Sequence, residues 1–251
     1  MLVMGILNVT PDSFADGGKH NDFDAAVARG LEMIAEGVDI IDIGGESTRP
    51  GADRVNEIEE IERTIPVIKE LAKHGIKISI DTMRSTTAEA AIKAGASIIN
   101  DVSGGLADPM MLQTAVGLKV PYIAMHWRGQ SKDMNSKAIY NDVVRDVISE
   151  LQERISAALD AGIAPANLII DPGLGFAKDA DHNWAIIDAI DQFVAMGYPV
   201  LIGASRKRFL GGETPDEREQ ATIDLTKQLA PTGVWAVRVH SVKPHKEVLS
   251  V

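Results

Sequence analysis

Asp81, Asn100 and Asp171 each follow directly on a short apolar run. Carboxylate and amide groups standing on apolar walls suit a flat heterocycle with amino and imine edges, whose donors and acceptors need fixed partners. A carboxylate facing an N–H/amino edge can bond with both oxygens. Arg49, Arg206, Lys207, Arg238 and His240 are a second set, of cationic donors. They suit phosphate oxygens, which arginine holds as a fork and lysine as a point charge. Asn8 closes the first apolar run, Leu2 to Leu7, and opens a polar loop ending at Gly17-Gly18. A magnesium ion held mainly by substrate phosphates would need only one or two protein oxygens, such as that of Asn8. The chain has 0 cysteines and no H-E-x-x-H, which argues against a dedicated zinc site. No motif nominates a base for Ser205, so no serine-histidine-acid triad can be argued.

Each of these residues has a plainer reading. A single Asp or Asn after a strand ordinarily caps a turn. Asp42 and Asp101 could simply orient their neighbours, Asp12 and Asp16 could solvate a loop, and Met125 and Phe176 could be core. Convergence outweighs these readings: polar groups of complementary chemistry end at least seven apolar runs at once.

The runs that must position them are eight: 2–7, 38–43, 76–80, 97–100, 120–125, 168–170, 200–202 and 234–239. They are Ile/Val-rich and nearly continuous, as strands of a parallel sheet buried on both faces are. Helical periodicity lies between them, at Ile58, Ile61, Ile65, Ile68 and Leu71, at Val143, Val147, Leu151 and Ile155, and at Trp184, Ile187, Ile190 and Val194. Asn56 with Glu59, Thr86 with Glu89, and Thr214 with Glu217 read as capping boxes, and Asp108-Pro109 as a cap with a first-turn proline. Pro66 should kink or restart its helix. Gly37, Gly75, Gly95, Gly117, Gly162, Gly197 and Gly233 each follow a helical pattern, where a left-handed glycine ends a helix without a Cβ penalty. Strict strand-helix alternation with eight strands predicts a single-domain (β/α)8 TIM barrel over 1–251, with its site at the C-terminal ends of the strands. An open doubly wound sheet is the runner-up, but no G-x-G-x-x-G follows any strand.

The 251 residues carry a net charge of −11, which argues against a nucleic-acid or anionic-membrane surface. It leaves room for an anionic small substrate, because local arginines can outweigh a diffuse acidic surface. With no signal-peptide pattern and no apolar run long enough to span a bilayer, the expectation is a cytoplasmic protein.

Seven segments, taken together and in order, resemble the dihydropteroate synthase family: Gly5–Phe14, Asp42–Gly51, Ser79–Thr82, Ile99–Val102, Asp171–Phe176, Ser205–Phe209 and Arg238–His240. The resemblance covers almost the whole chain. It implies a (β/α)8 barrel that condenses p-aminobenzoate with 6-hydroxymethyl-7,8-dihydropterin pyrophosphate, releasing pyrophosphate, in folate biosynthesis. It implies that Asp81, Asn100, Asp171 and Lys207 bind the pterin edge, walled by Val102, Met125, Phe176 and the Arg238 guanidinium. Asn8 would bind Mg2+, and with Thr48, Arg49, Arg238 and His240 it would hold the pyrophosphate. Phe14, Thr48, Pro50, Ser205, Lys207 and Arg208 would surround p-aminobenzoate, where sulfonamides also bind. Asp81, Asp171, Lys207, Arg238 and His240 would carry the catalysis. Thr10 to Gly18 reads as a lid.

Departures from the family pattern are a short 210–218 connection, Ser241 where an acidic residue is frequent, and room for barely two turns of final helix. The resemblance also implies a homodimer through the last helices. A methyltetrahydrofolate-type methyltransferase barrel and a non-catalytic pterin-binding paralogue share the Asp81/Asn100/Asp171 set. The Thr48-Arg-Pro50, Ser205-Arg-Lys207 and Arg238-Val-His240 segments favour pyrophosphate chemistry.

Overall fold

The computed structural model describes residues 1–9, 18–46, 55–130 and 134–250, without the side chains of 18–21 and 135. Phe14, Thr48, Arg49, Pro50 and the lid reading of 10–18 therefore fall wholly or mainly outside the described residues. Eight parallel strands alternate with helices. The strands are β1 (Leu2–Asn8), β2 (Ile40–Gly44), β3 (Lys77–Asp81), β4 (Ile98–Asp101), β5 (Tyr122–Met125), β6 (Leu168–Asp171), β7 (Leu201–Ile202) and β8 (Ala236–Val239). The helices are α1 (Gly18–Ala35), α2 (Glu57–Ala72), α3 (Ser85–Ala94), α4 (Met111–Leu118), α5 (Val143–Ala161), α6 (Ala180–Asp188), α7 (Ile190–Val194), α8 (Glu217–Leu229) and α9 (Lys243–Leu249).

Hydrogen-bonded pairing runs β6-β5-β4-β3-β2-β1-β8-β7. The ring closes between β6 and β7 through one bridge, Ile170 to Val200, with Ile170 N–H donating to the Pro199 carbonyl at 2.9 Å. This is the (β/α)8 architecture expected from the alternation, with its thinnest seam at two-residue β7.

Side chains alternate across the barrel wall with the period of two that a strand imposes. Inside, Met4, Ile40, Ile98, Ile123, Ile169, Leu201 and Ala236 form an apolar plug. Outside, Val3, Leu7, Ile41, Ile43, Ile78, Ile80, Ile99 and Ile170 pack under the helices in the main core. The plug closes the N-terminal end and leaves the other end for polar groups.

Several local expectations change. Helix α2 runs through Pro66 without a restart. The Trp184–Val194 pattern is two helices, α6 and α7, divided at Ala189. Gly117 lies inside α4, and Lys119 takes the left-handed position instead, at φ 56°. The other six helix-ending glycines have positive φ. Asn56 caps α2, its side chain accepting from Glu59 N at 2.9 Å. Thr86 does not cap α3, which starts at Ser85; the Ser85 N–H goes to Asp108 Oδ2 at 2.7 Å. Asp108 is thus taken up by its neighbour helix and by Met110 N, and α4 begins only at Met111. Thr214 Oγ1 does accept from Glu217 N, at 3.3 Å, but Glu217 reaches back to Glu213 N, one residue earlier than a capping box requires. The capping box that forms joins Asp179 and His182 at α6.

Candidate active site

The inward positions that follow the plug end in one polar layer on five of the strands. Asn8, Asp81, Asn100, Asp171 and Arg238 stand at or near the C-terminal ends of β1, β3, β4, β6 and β8. Asp81, Asn100 and Asp171 are buried and Asn8 is half-buried. Strands β2 and β7 place glycines in the same layer. A Cβ on Gly44 would lie 3.4 Å from Asp81 Cβ, and one on Gly203 would lie 3.9 Å from both Arg238 Cβ and Asp171 Oδ2. The two glycines keep open the space between the polar groups.

Arg238 organises the charges. Its Nε donates to Asp42 Oδ2 at 2.5 Å and its Nη2 to Asp81 Oδ2 at 2.6 Å. Asn100 Nδ2 donates to the same Asp42 oxygen at 3.1 Å. Asp42, fully buried, therefore sets the positions of an arginine and an amide from two other strands. Burial pushes the Asp81 carboxyl up to about 7, against the pull of Arg238 and with the push of Asp42. Burial also raises Asp171, opposed by the Gly173 N–H, which donates to its Oδ1 at 2.7 Å, and by Lys207.

The wall opposite Arg238 is apolar: Val102, Met125 and Met83, with Trp127 and Phe176 packed against them. Lys207 Nζ lies 4.7 Å from the centre of the Phe176 ring, a cation–π contact, and donates to the Leu174 carbonyl. Burial lowers its ammonium to about 8, with Asp171 opposing the shift. Ser205, buried, lies 2.9 Å from His240 Nδ1 and accepts from His240 N at 3.2 Å. This pair ties the β7 loop to the β8 end. Arg208 is exposed, at the start of the short helical turn Arg208–Leu210. Arg84, after β3, donates to Glu46 at 2.6 Å and to the Val55 carbonyl at 2.6 Å, the stems flanking 47–54.

Three strand-end residues turn away from the site. Asp101 faces outward and accepts from Tyr122 Oη at 2.7 Å and Ser103 N at 2.8 Å. His126 lies behind the wall, between Glu150 and Lys178. Arg206, counted above among the phosphate-binding cations, donates instead to Glu219 Oε2 at 2.7 Å and Ser241 Oγ at 2.9 Å. Its φ of 58° directs the side chain toward α8. Alternation explains the first two: one step along a strand reverses the face.

Among the described residues, no group of three or more His, Asp or Glu side chains is arranged to hold a metal ion. Asp42 and Asp81 are committed to Arg238. The half-buried Asn8 amide oxygen at the end of β1 fits a hard cation that brings most of its ligands with it.

The model of the pterin binding enzyme family matches residues 4–240. A dihydropteroate synthase of Mycobacterium leprae is 49% identical, across 99% of this chain and 91% of that one. The structure of a Xanthomonas albilineans dihydropteroate synthase with 4-aminobenzoic acid superposes with a TM-score of 0.93 at 43% identity, covering 99% of this chain and 90% of that one. The enzyme of the same organism in complex with 7,8-dihydropteroate gives 0.90 at 40% identity, covering 99% and 91%.

Proposed function

This chain belongs to the pterin binding enzyme family, among its dihydropteroate synthases, and from that premise we propose how its residues divide the reaction. The enzyme is a transferase that condenses p-aminobenzoate with 6-hydroxymethyl-7,8-dihydropterin pyrophosphate in folate synthesis. The whole chain acts as one barrel domain. The observation that carries the assignment is the buried layer in which Asp81, Asn100, Asp171 and Arg238 converge above the apolar plug.

Asp81, Asn100 and Asp171 take the donor and acceptor edges of the pterin. Val102, Met125 and Phe176 cover one face, and the Arg238 guanidinium the other. Lys207 donates to the ring from beside Phe176. The C–O bond to pyrophosphate breaks early, and the carboxylates of Asp171 and Asp81 stabilise the electron-poor pterin methylene. Arg49, Arg238 and His240, with Thr48 beside them, hold the departing pyrophosphate. Asn8 would be the protein ligand of a magnesium ion brought with that pyrophosphate, and the ion when bound would supply further neutralisation of its charge. The aniline nitrogen of p-aminobenzoate then attacks the methylene from a pocket of Phe14, Thr48, Pro50, Ser205, Lys207 and Arg208, forming the C–N bond and passing its extra proton to the released pyrophosphate or to water. The nitrogen is already nucleophilic, so the mechanism needs no strong general base. Sulfonamides compete in the same pocket.

Pyrophosphate release on mixing both substrates with Mg2+ tests the reading. The wild type should release pyrophosphate and form dihydropteroate. A methyltransferase would release none, and a non-catalytic paralogue would bind pterin only. Asp171→Asn should lower kcat by about 100-fold or more with little change in melting temperature; near-full activity in that variant would refute the assignment. The described residues contain no helix long and apolar enough to cross a membrane. The family's use of its last helices supports a homodimer, which sedimentation equilibrium would detect as twice the 26.9 kDa chain mass.

A further inference from the structure

The loop that follows β6 carries an unusual backbone. Gly173, Gly175 and Ala177 all occupy the left-handed region, at φ 69°, 75° and 48°. Alanine disfavours that region because of its Cβ. Such conformations persist only where surrounding groups over-determine them.

The group that does so here is Lys178, a buried side chain on the outer face of the wall. Its Nζ donates to the Gly173 carbonyl at 3.0 Å and to the Phe176 carbonyl at 3.1 Å, and lies 2.8 Å from His126 Nδ1. Burial pushes the Lys178 ammonium well below the usual lysine value, with Asp171 opposing the shift; in the ammonium form its three donors meet these three acceptors, so the whole head group is used. Burial, with Lys178 beside it, holds His126 down at about 4, so its ring is neutral at pH 7. Nδ1 then accepts from Lys178, and Nε2 donates to Glu150 Oε2 at 3.0 Å. Glu150 is gripped in turn by Arg128, whose guanidinium lies 3.8 Å over the Tyr140 ring. The Tyr140 hydroxyl donates to the Ala177 carbonyl at 3.0 Å. The chain of contacts thus leaves the loop at Gly173 and returns to it at Ala177.

We propose that Lys178 is a positioning residue for pterin recognition, fixing the Gly173 and Phe176 peptide units so that Asp171 and Phe176 meet the pterin in one geometry. The proposal rests on the pterin reading of Asp171 and Phe176 given above. The link to Asp171 is direct: Gly173, whose carbonyl Lys178 holds, donates its N–H to Asp171 Oδ1 at 2.7 Å and so sets the carboxylate's orientation. Phe176 N–H closes the turn onto the same Gly173 carbonyl at 3.1 Å. A methionine would fill much of the same space without desolvating an ammonium, so packing alone does not explain a lysine here.

Steady-state kinetics with each substrate varied, on wild type and Lys178→Met, test this. The expected result is a fall in kcat/KM for the pterin pyrophosphate of about 30-fold or more, carried at least partly by KM, since small misplacements of binding groups cost up to about 100-fold. KM for p-aminobenzoate should stay within about twofold. A merely structural lysine would give fewer active molecules: kcat would fall with both KM values unchanged, and that result overturns the proposal, as would unaltered kinetics. Should Lys178→Met not fold, Glu150→Ala at the half-exposed outer end of the network decides instead. It should raise the pterin KM and leave that of p-aminobenzoate, and an unchanged pterin KM overturns the proposal. A wild type that releases no pyrophosphate overturns the functional reading and this proposal with it. An active wild type with an unaffected Lys178→Met overturns only the proposal.

Discussion

Arg238 holds two carboxylates at once, but burial decides which protons the site can exchange near neutrality. Asp81, pushed up to about 7 by burial, and Lys207, brought down to about 8, both titrate close to working pH. Lys207 must be protonated to act as a cationic donor beside Phe176. Its folded value lies below that of a free lysine, so the proton is lost as pH rises through about 8. We therefore expect kcat/KM for the pterin substrate to fall above about pH 8. Lys207→Arg, whatever its absolute rate, should show no such limb up to about pH 9.5, because guanidinium stays charged. A descending limb that persists unmoved in the variant would assign the titration to another group. At this scale the sequence was informative about residue types and poor about partners. Asp42 and Asp101 are the same residue at comparable strand ends. One anchors Arg238 inside the barrel, and the other is tied to Tyr122 outside it.

At the scale of elements, glycine was the most readable signal, and its one exception is instructive. Gly117 reads as a helix stop, yet α4 continues through it to Leu118. Its neighbour two residues on, Lys119, accepts the left-handed conformation in its place. A Cβ at Gly117 would meet no atom within 4 Å. Glycine there costs the helix backbone entropy and gives nothing back in close packing. Gly117→Ala should stabilise the protein by about 0.5–1 kcal/mol, seen as a higher urea midpoint at unchanged m-value. A lower midpoint would mean that the glycine serves something the described residues do not reveal. Caps were read less well because a cap need not be local. Asp108, which reads as the start of its own helix, accepts from Ser85 N–H and Met110 N–H through its two carboxylate oxygens, and so begins α3 from the next loop.

At the scale of the whole molecule, the barrel wall has two electrostatic faces, and the outer one governs acid stability. His126 is held at about 4 against about 6.5 in an unfolded chain. Above about 6.5 both states are neutral. As pH falls from there, the unfolded chain takes a proton that the folded one refuses until about 4, so stability is lost across that window. The loss amounts to about 3 kcal/mol. Asp81 works in the opposite sense, since its raised folded value lets the native state bind a proton first. A comparison therefore isolates the histidine: between pH 7 and about 4.5, wild type should lose more unfolding free energy than His126→Gln, by an amount approaching that figure. Urea titrations of both proteins at the two pH values provide the check, and equal losses would rule out His126 as the source.

The sequence by itself determined the order of elements, the eight-fold alternation and the residues that end the strands. Apolar runs, helical periods and helix-ending glycines are local signals, written in stretches short enough to read without the fold. It also carried enough of the strand-end pattern to point to a family. Only the tertiary structure decided which face each strand-end residue presents and which partner it meets. It turned His126 and Arg206 away from the site, although both stand among residues that face it. It brought Lys178 to His126 across 52 positions of chain, and Arg238 to Asp42 across 196. Such contacts depend on the closure of the barrel, and no local spacing encodes them.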